Sequence, residues 1–457
     1  AEISGLKINL IDKTNVIWIG SKKHSQDKIC VKWGLKWGSS TFKLLGITFC
    51  VDLNRMLNLN YAPRIQEIES IIQKWSKQSL TPFGKITIIK SLIISKLNHL
   101  FLSIPSPDEN VLQQLNSKIY AFIWDGKPDK VNRELLCQEY CRGGLKMINL
   151  RNFIQGLKLT WVRRLFNSNS KWIKLFTATQ NINFTELAYF GTTKKLDNVF
   201  WKEVICAWKN MSRFRHPRYF EEVISSSIWN NENIKIDNVS VYYRSWAQNG
   251  VWTVNDLLDE QGNILSYQNF EQLYTFKPTF LQFYGIKVAL KKWLQSMGIN
   301  TEREKQQQAL LPFNINIFFK SNKGSKDMYN ILNQGAIPVV IAAERKWEGI
   351  LNNVVGDWKK IHNCVTKISK NTKLCWFQYR IIHRILGTNT LLLKMNRVQC
   401  NLCTFCKEEP ESIEHLLWGC HIVADIWHHL NAWIFETTHI EIPLNVDIVM
   451  FGLYDNY

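Results

Sequence analysis

The sequence predicts a mainly α-helical protein with a small β portion, an α+β class. Apolar residues recur every three or four positions over most of the 457-residue chain, as they do on one face of a helix. Short β-rich runs bounded by Gly5, Gly20 and Gly46 occupy the N-terminal end. A cluster of cysteines and a histidine near the other end has the spacing of a metal site. With 46% hydrophobic residues, a chain of this length can bury the cores of several domains.

The β portion is predicted at residues 6–10, 15–19 and 42–49, where runs of β-branched and apolar residues stand between glycines. Helical periodicity begins after Pro63, which is placed where a first-turn proline is tolerated. A second helix is predicted to begin at a Thr-Pro pair, with Thr81 as its N-cap.

Further helices are predicted at residues 111–123 and, after a glycine pair, at about 149–166. The middle of the chain has mixed patterns, with a strand-like stretch at 234–243 and a helix-like stretch at 270–293, and it carries no recognisable chemistry. Helical periodicity returns near the C-terminal end, at residues 361–368, 376–386 and 422–433.

Cys403, Cys406, His415 and Cys420 form the pattern Cys-x2-Cys-x8-His-x4-Cys. Two thiols separated by two residues can close a tight turn around one metal ion, and a His and a Cys from a following helical turn complete a tetrahedral set. Residues 411–417 are predicted to start a helix that turns His415 towards the thiols. The metal is predicted to be structural zinc, because four protein ligands leave no open position.

Two alternatives concern the ligand set. Cys400 stands three residues before Cys403, in another Cys-x2-Cys, and could form the pair with it, and His421 directly follows Cys420. The residues could also be ordinary cysteines and histidines that bind no metal. A zinc hydrolase or deaminase is disfavoured because the four-ligand site is closed and the glutamates at 408–414 are interpreted as a solvated acidic loop.

The charge distribution predicts a nucleic-acid partner. The net charge is +19, and residues 358–407 hold ten Lys or Arg but no Asp or Glu. Residues 142–175 hold eight basic residues and again no acidic one. The positive side chains of such stretches repel one another unless phosphates are nearby. The candidate phosphate contacts are Lys85, Lys90, Lys158, Arg163, Arg164, Lys373, Arg380, His383 and Arg384.

Other features limit the setting in which the protein works. There is no run of 18 or more apolar residues, so no membrane partner is expected. No signal-peptide pattern stands at the N-terminal end. Eleven cysteines, several of them in metal spacing, predict an intracellular, reducing compartment rather than a disulfide framework.

Several motifs, in order along the chain, resemble those of LINE-type (non-LTR retrotransposon) reverse transcriptases. Each motif is short, and their order is the specific feature. The late palm motif is resembled by SGLKIN (4–9) with residues 13–14 and 16–20, and the primer-grip hairpin by KLLGI (43–47). The start of the thumb is resembled by residues 75–76 and LTPFGK (80–85), and later thumb landmarks by FIW (122–124) and GGL (143–145). The zinc-binding C-terminal segment is resembled by WFQYR (376–380), residues 383–384 and 388–389, and the metal cluster.

The resemblance implies residual palm strands at 1–55, a helical thumb bundle at 56–170, a mixed connector at 171–350 and a small helical zinc-binding, basic module at 351–457. It implies a parent RNA-directed DNA polymerase that carries out target-primed reverse transcription. The expected ligands are element RNA and target or template-primer DNA, and the expected locations are nucleus and cytoplasm. A zinc-stabilised protein-interaction adaptor is the alternative.

The family's polymerase chemistry uses adjacent palm aspartates and a third one that hold Mg²⁺, and this sequence contains no Asp-Asp pair. The chain is therefore expected to be a C-terminal piece, or a non-functional relic, that is inactive alone. Mg²⁺ is expected only in the complete parent. Lys13 matches the family's late-palm lysine, although three residues rather than two separate it from Asn9.

Overall fold

The computed structural model describes residues 15, 16, 18, 36, 37, 41–167, 171–180, 196, 198–213, 220–274, 276, 278–298, 324–334, 341–351 and 357–452. These residues are mostly helical with a few short strands, which confirms the mainly α class. The strand predicted at 6–10 and Lys13 lie outside the described residues.

The strands are short and pair two by two. They are β1 (Asn15–Val16) with β2 (Lys36–Trp37), β3 (Thr41–Leu44) with β4 (Ile47–Cys50), and β5 (Lys235–Ile236) with β6 (Val239–Ser240).

The helices account for most of the described chain. In the first part they are α1 (Leu53–Ser76), α2 (Pro82–Ile88), α3 (Ser95–Ser103), α4 (Glu109–Ile123), α5 (Arg133–Leu136), α6 (Leu150–Asn167), α7 (Lys171–Gln180), α8 (Val199–Arg213) and α9 (Phe220–Ile224). Further along they are α10 (Arg244–Gln248), α11 (Tyr267–Leu273), α12 (Phe280–Ser296), α13 (Ser325–Gln334), α14 (Ala342–Ile350), α15 (Trp358–Lys367), α16 (Thr372–Ile382), α17 (Asn389–Lys394), α18 (His421–Thr438) and α19 (Val446–Phe451).

The stretch 42–49, predicted as one strand, is instead the antiparallel hairpin β3–β4, with Leu44 opposite Ile47. Leu45 and Gly46 form its two-residue turn with φ of 48° and 82°. A two-residue turn with φ positive at both positions matches the right-handed twist of the strands, and the glycine makes it accessible.

Helix α1 begins ten residues earlier than predicted, at Leu53 rather than after Pro63. The Asp52 side chain caps it by accepting a hydrogen bond from the Arg55 N–H at 2.9 Å. Pro63 lies inside the helix and leaves the carbonyl of Leu59 without its usual donor. Leu59 is exposed, so water can satisfy that carbonyl.

The helical stretch Pro82–Ser103 runs from α2 through a wide π-helical turn into α3. Among the described residues it is the one stretch long and apolar enough to cross a membrane by length and composition. This is weak evidence, because the core helix of a globular unit passes the same test. Its apolar residues Ile86, Ile89 and Ile93 are buried inside the protein.

The chain forms two compact units. The first contains the described residues of Ala1–Leu97, Pro107–Asn149 and Pro338–Tyr457, and the second those of Asn98–Ser106 and Leu150–Ile337. The metal-site sequence therefore belongs to the same unit as α1, α2 and α4. The four domains suggested by the resemblance stay a prediction.

The described residues of the second unit form two apolar cores, although the sequence there shows no clear pattern. In one core α6 packs against α8 and α13 around Trp208. Gly156 permits the close approach of α13, since a Cβ there would stand 3.3 Å from the Ser325 carbonyl oxygen. The other core surrounds Trp229, Trp246 and Phe270. The stretch 270–293, predicted as helix-like, is the pair α11 and α12.

Candidate metal centre

The four predicted ligands meet at one point. One ligand atom from each of Cys403, Cys406, His415 and Cys420 lies within 4.8 Å of every other. The Cys403 and Cys420 Sγ atoms are 4.0 Å apart, and Cys406 Sγ is 3.3 Å from His415 Nε2. Ligands about 2.0–2.3 Å from a tetrahedral zinc ion stand roughly 3.3–3.8 Å from one another, so the cluster has the size of a zinc site.

Backbone hydrogen bonds shape the turn that carries the first two thiols. The Cys403 N–H donates to the Glu409 carbonyl at 2.7 Å, and the Lys407 N–H donates back to the Cys403 carbonyl at 3.0 Å. Lys407 adopts a φ of 61°, which closes the turn directly after Cys406. The Phe405 N–H points at Cys403 Sγ from 3.4 Å. Such a donor stabilises the thiolate that a metal needs.

The other two ligands flank a π-helical turn, His415–Gly419. His415 Nδ1 faces the Glu409 carboxylate at 3.0 Å, which leaves Nε2 for the metal. A carboxylate on the far nitrogen is the usual partner of a metal-bound imidazole. Cys420 follows the turn directly and is the N-cap of α18.

The thiols differ in their surroundings. Burial raises the pKa of Cys403, which is 1% exposed. By contrast, the backbone N–H groups of Glu408 and Glu409 lower the pKa of Cys406 to about 6, with a further contribution from His415. Cys406 is thus readily a thiolate, and a bound cation would hold the buried thiols in the same form.

The alternative ligands lie outside the cluster. Cys400 is exposed, and its Sγ accepts a hydrogen bond from the Leu402 N–H at 3.4 Å. The His421 side chain is 63% exposed and stands 3.9 Å from Glu408. Neither belongs to the group of four. The four protein ligands fill a tetrahedral set, so the site binds zinc structurally.

A buried carboxylate that the sequence did not reveal braces the metal turn. Glu411 is 3% exposed and accepts hydrogen bonds from the backbone N–H groups of Asn389 and Thr404, at 2.8 and 2.7 Å. Burial alone would raise the pKa of Glu411, but these donors lower it. Glu414 pairs with Arg384. The interpretation of 408–414 as a solvated acidic loop was therefore wrong for Glu411 and Glu414, whereas Glu408 and Glu409 are exposed.

Lys85 does not fit the predicted phosphate contact. It is 1% exposed, and its ammonium pairs with Asp125 and donates to the Ile123 carbonyl at 3.4 Å. A phosphate could reach it only by opening the packing of α2 against α4. Lys85 is a structural cation.

His383 and Arg384 are also engaged in internal contacts. The His383 ring is buried and stacked on Tyr379 with centroids 4.0 Å apart. Burial, together with the neighbouring His362, lowers the pKa of His383 to about 3, so the ring is neutral near pH 7 and offers no charge to a phosphate. Arg384 lies 4.4 Å over the Trp347 ring besides pairing with Glu414.

The other candidates are accessible to different degrees. Lys373 and Arg164 are exposed, and Arg164 also lies over the Trp161 ring at 4.6 Å. Arg163, Lys90 and Arg380 are half-buried, and burial beside Lys146 lowers the pKa of Lys90. Contact of any of these residues with nucleic acid stays a prediction.

Lys158 is buried in the second unit, where it donates to the Ile104 carbonyl at 2.6 Å and pairs with Glu203 at 3.0 Å. It therefore does not fit the predicted phosphate contact either. Burial lowers the pKa of Lys158 from 10.5 to about 8 despite the Glu203 carboxylate.

This depressed pKa predicts a pH-dependent stability. Between about pH 8 and 10.5 the unfolded chain holds a proton on Lys158 that the folded chain has released, so the free energy of unfolding rises with pH across this window. Comparing wild type with Lys158→Met by urea unfolding at several pH values isolates the effect. The difference between them should change by about 3 kcal/mol in favour of wild type over the full window. Parallel pH profiles would contradict the prediction.

The fold and the site together define a helical protein with a closed Cys3His structural zinc centre. Residues 325–427 match the family model described as zinc-binding in reverse transcriptase. The match ends seven residues beyond Cys420 and includes all four ligands. The chain thus carries a zinc segment associated with reverse transcriptases, and this part of the resemblance is confirmed.

Proposed function

We propose that this chain is the C-terminal part of a LINE-type reverse transcriptase and that it binds nucleic acid for a parent enzyme carrying out target-primed reverse transcription. The zinc-segment match supports the assignment, and so does the order of the palm-like and thumb-like motifs that precede it. Zinc shapes the binding part without taking part in chemistry. The sequence offers no Asp-Asp pair for Mg²⁺, so polymerisation is assigned to the complete parent.

The observation that carries the proposal is an uncompensated basic surface on the zinc-containing unit. Most cations of the acid-free segment 358–407 are exposed, and none of those exposed pairs with an acidic side chain in the described part of the chain. Unpaired cations in such number suit a phosphate backbone, which they position without reading its sequence. They are Lys359, Lys360, Lys367, Lys370, Lys373, Lys394, Arg397 and Lys407.

Salt dependence tests this function. Fluorescence anisotropy should show binding of short RNA and DNA oligonucleotides that weakens steeply with salt. Lys370→Gln with Lys373→Gln should lower the slope of log K against log salt by about 0.7–0.9 for each phosphate that the variant no longer neutralises. The matched control is Lys96→Gln with Lys118→Gln, because these lysines pair with Glu67 and Glu69. Absence of salt-dependent binding by the wild-type protein would refute the proposal.

One observation favours a second candidate, a protein-interaction adaptor. Helix α18 exposes an apolar stripe of Ile422, Ile426, Leu430 and Trp433, spaced as one helical face. Such a stripe suits a protein groove better than a phosphate backbone. Salt-insensitive binding of a protein, without nucleic-acid binding, would support the adaptor.

A further inference from the structure

Two of the sequence motifs, FIW at 122–124 and WFQYR at 376–380, meet in the first unit. The Trp124 and Trp376 rings have centroids 6.1 Å apart, and the Trp376 ring is stacked on Tyr379 at 5.4 Å. Trp124 ends helix α4, so this aromatic contact holds the loop that follows α4 beside α16. The loop and the helix together gather basic residues from segments about 250 positions apart in the sequence.

The carboxylates of this loop are already engaged. Asp125 pairs with the buried Lys85 ammonium. Asp129 accepts from the Arg133 side chain at 2.6 Å, and this pair lies within four residues of sequence. The loop's own acidic groups therefore form their ion pairs with Lys85 and Arg133, and Asp125 acts on Lys130 only as a neighbouring charge.

Three cations remain on the loop and at the C-terminal end of α16: Lys127, Lys130 and Arg380. None of them forms an ion pair with a carboxylate among the residues that the structure describes. Lys127 and Lys130 are exposed. Burial, and then the positive charges of Arg380 and Lys127, lower the pKa of Lys130, whereas the Asp125 carboxylate opposes them. Lys130 therefore lies close enough to Arg380 and Lys127 to interact with both electrostatically.

The Arg380 guanidinium is held in place from the protein side. Its Cζ lies 6.0 Å from the Trp376 ring centroid and 5.8 Å from that of Phe377. Its Nε is buried and has no hydrogen-bond partner among the described residues. Positive groups brought together and partly removed from water repel one another, unless an anion joins them.

We propose that Lys127, Lys130 and Arg380 form a binding site for a phosphodiester group of a nucleic-acid backbone. This proposal rests on the proposed function and names one place in the first unit where the nucleic-acid backbone binds. A planar guanidinium presents paired donors that match phosphate oxygens, and two ammonium groups add point charges around them. The aromatic rings beneath Arg380 fix its orientation before the ligand arrives, which reduces the entropy lost on binding.

The test compares the RNA affinity of a variant that lacks two charges of the cluster with that of a variant that lacks two charges elsewhere on the same unit. Lys130→Gln with Arg380→Gln should weaken binding of a short RNA about tenfold or more and lower the salt slope by about 0.7–0.9. Lys370→Gln with Lys373→Gln removes the same charge from exposed positions outside the cluster and should cost less affinity. Single-stranded RNA and the matching duplex, assayed in parallel, show which backbone the site takes.

These measurements distinguish failure of the site from failure of the nucleic-acid function. If the wild-type protein binds RNA but the cluster variant and the comparison variant lose equal affinity, the site is overturned and the nucleic-acid function stands. Failure of the wild-type protein to bind would overturn both. If the Arg380 variant loses its zinc or its thermal transition, the exposed pair Lys127→Gln with Lys130→Gln replaces it, with the same expected direction. Unchanged affinity in that pair would overturn the site.

Discussion

Replacing Cys403 with serine should abolish stoichiometric zinc binding and unfold the zinc turn with the start of helix α18. A serine hydroxyl is a poor zinc ligand, and Cys403 is 1% exposed, so water cannot easily take its place. The apolar cluster around the site is very small. Apart from the ligands, it contains Val423 and, at its edge, Trp427. The metal must therefore supply most of the local stability.

The expected loss is large, because in small zinc modules the free energy of metal binding is also free energy of folding, which amounts to about 10–16 kcal/mol in zinc-finger peptides. Elemental analysis should find zinc in the wild-type protein and little in Cys403→Ser, and His415→Ala should behave alike. Cys400→Ser is the control, since Cys400 is exposed and outside the cluster, and it should retain zinc. Full zinc content in both ligand variants would refute the assignment.

The zinc ligands could be predicted from the sequence because their geometry is local. Two thiols three positions apart can share a metal in almost any tight turn, and Cys420 needed only one helical turn after His415. The partner of His415 Nδ1, Glu409, and the brace at Glu411 could not be predicted in the same way. Their roles depend on how the turn folds back, and the Glu411 donors lie up to 22 residues away.

The buried lysines show why exposure could not be predicted. Lys85 and Lys158 were predicted to contact phosphate, which requires exposure, yet each lies inside the protein beside a carboxylate 40 or more residues away. An acid-free stretch of sequence therefore does not guarantee an acid-free surface. The error at Pro63 has a similar origin, because the Asp52 side chain caps the helix well before the proline, and Leu59, whose carbonyl loses its usual donor, is an exposed residue.

The contact between the FIW and WFQYR motifs was likewise beyond sequence reasoning. Helical periodicity marked both segments as partly apolar, but it carries no information about which apolar faces meet. The same holds for the glycine pair at 143–144. The sequence marked it as a break in the chain, whereas the structure makes it a packing point for α15 and α16.

Gly143 lies directly under those two helices. The Tyr379 hydroxyl donates to its carbonyl at 3.0 Å, and a Cβ on Gly143 would stand 3.1 and 3.2 Å from the His362 and His383 rings. Its φ of 73° also favours glycine. The turn at Gly143 therefore contacts α15 and α16, which precede the zinc ligands in the sequence.

Gly144→Ala should be the most destabilising single-methyl change in this turn. The added Cβ would stand 2.1 Å from the Gln138 carbonyl oxygen and 2.6 Å from that of Leu135, and neither backbone atom can move without disturbing α5. We expect a loss of about 3 kcal/mol in the free energy of unfolding, measured by urea titration with tryptophan fluorescence. Gly349→Ala is the matched control, because nothing lies within 4 Å of a Cβ there.

Zinc release followed in the same titration distinguishes two ways in which the unit could unfold. If the glycine turn and the zinc segment unfold cooperatively, Gly144→Ala should release zinc at a lower urea concentration, in step with the fluorescence change. The contacts of Gly143 with Tyr379, His362 and His383 favour this outcome, because they attach the turn to the helices that lead to the metal. Zinc release that stays at the wild-type urea concentration while fluorescence shifts would show a zinc segment that folds independently of the turn.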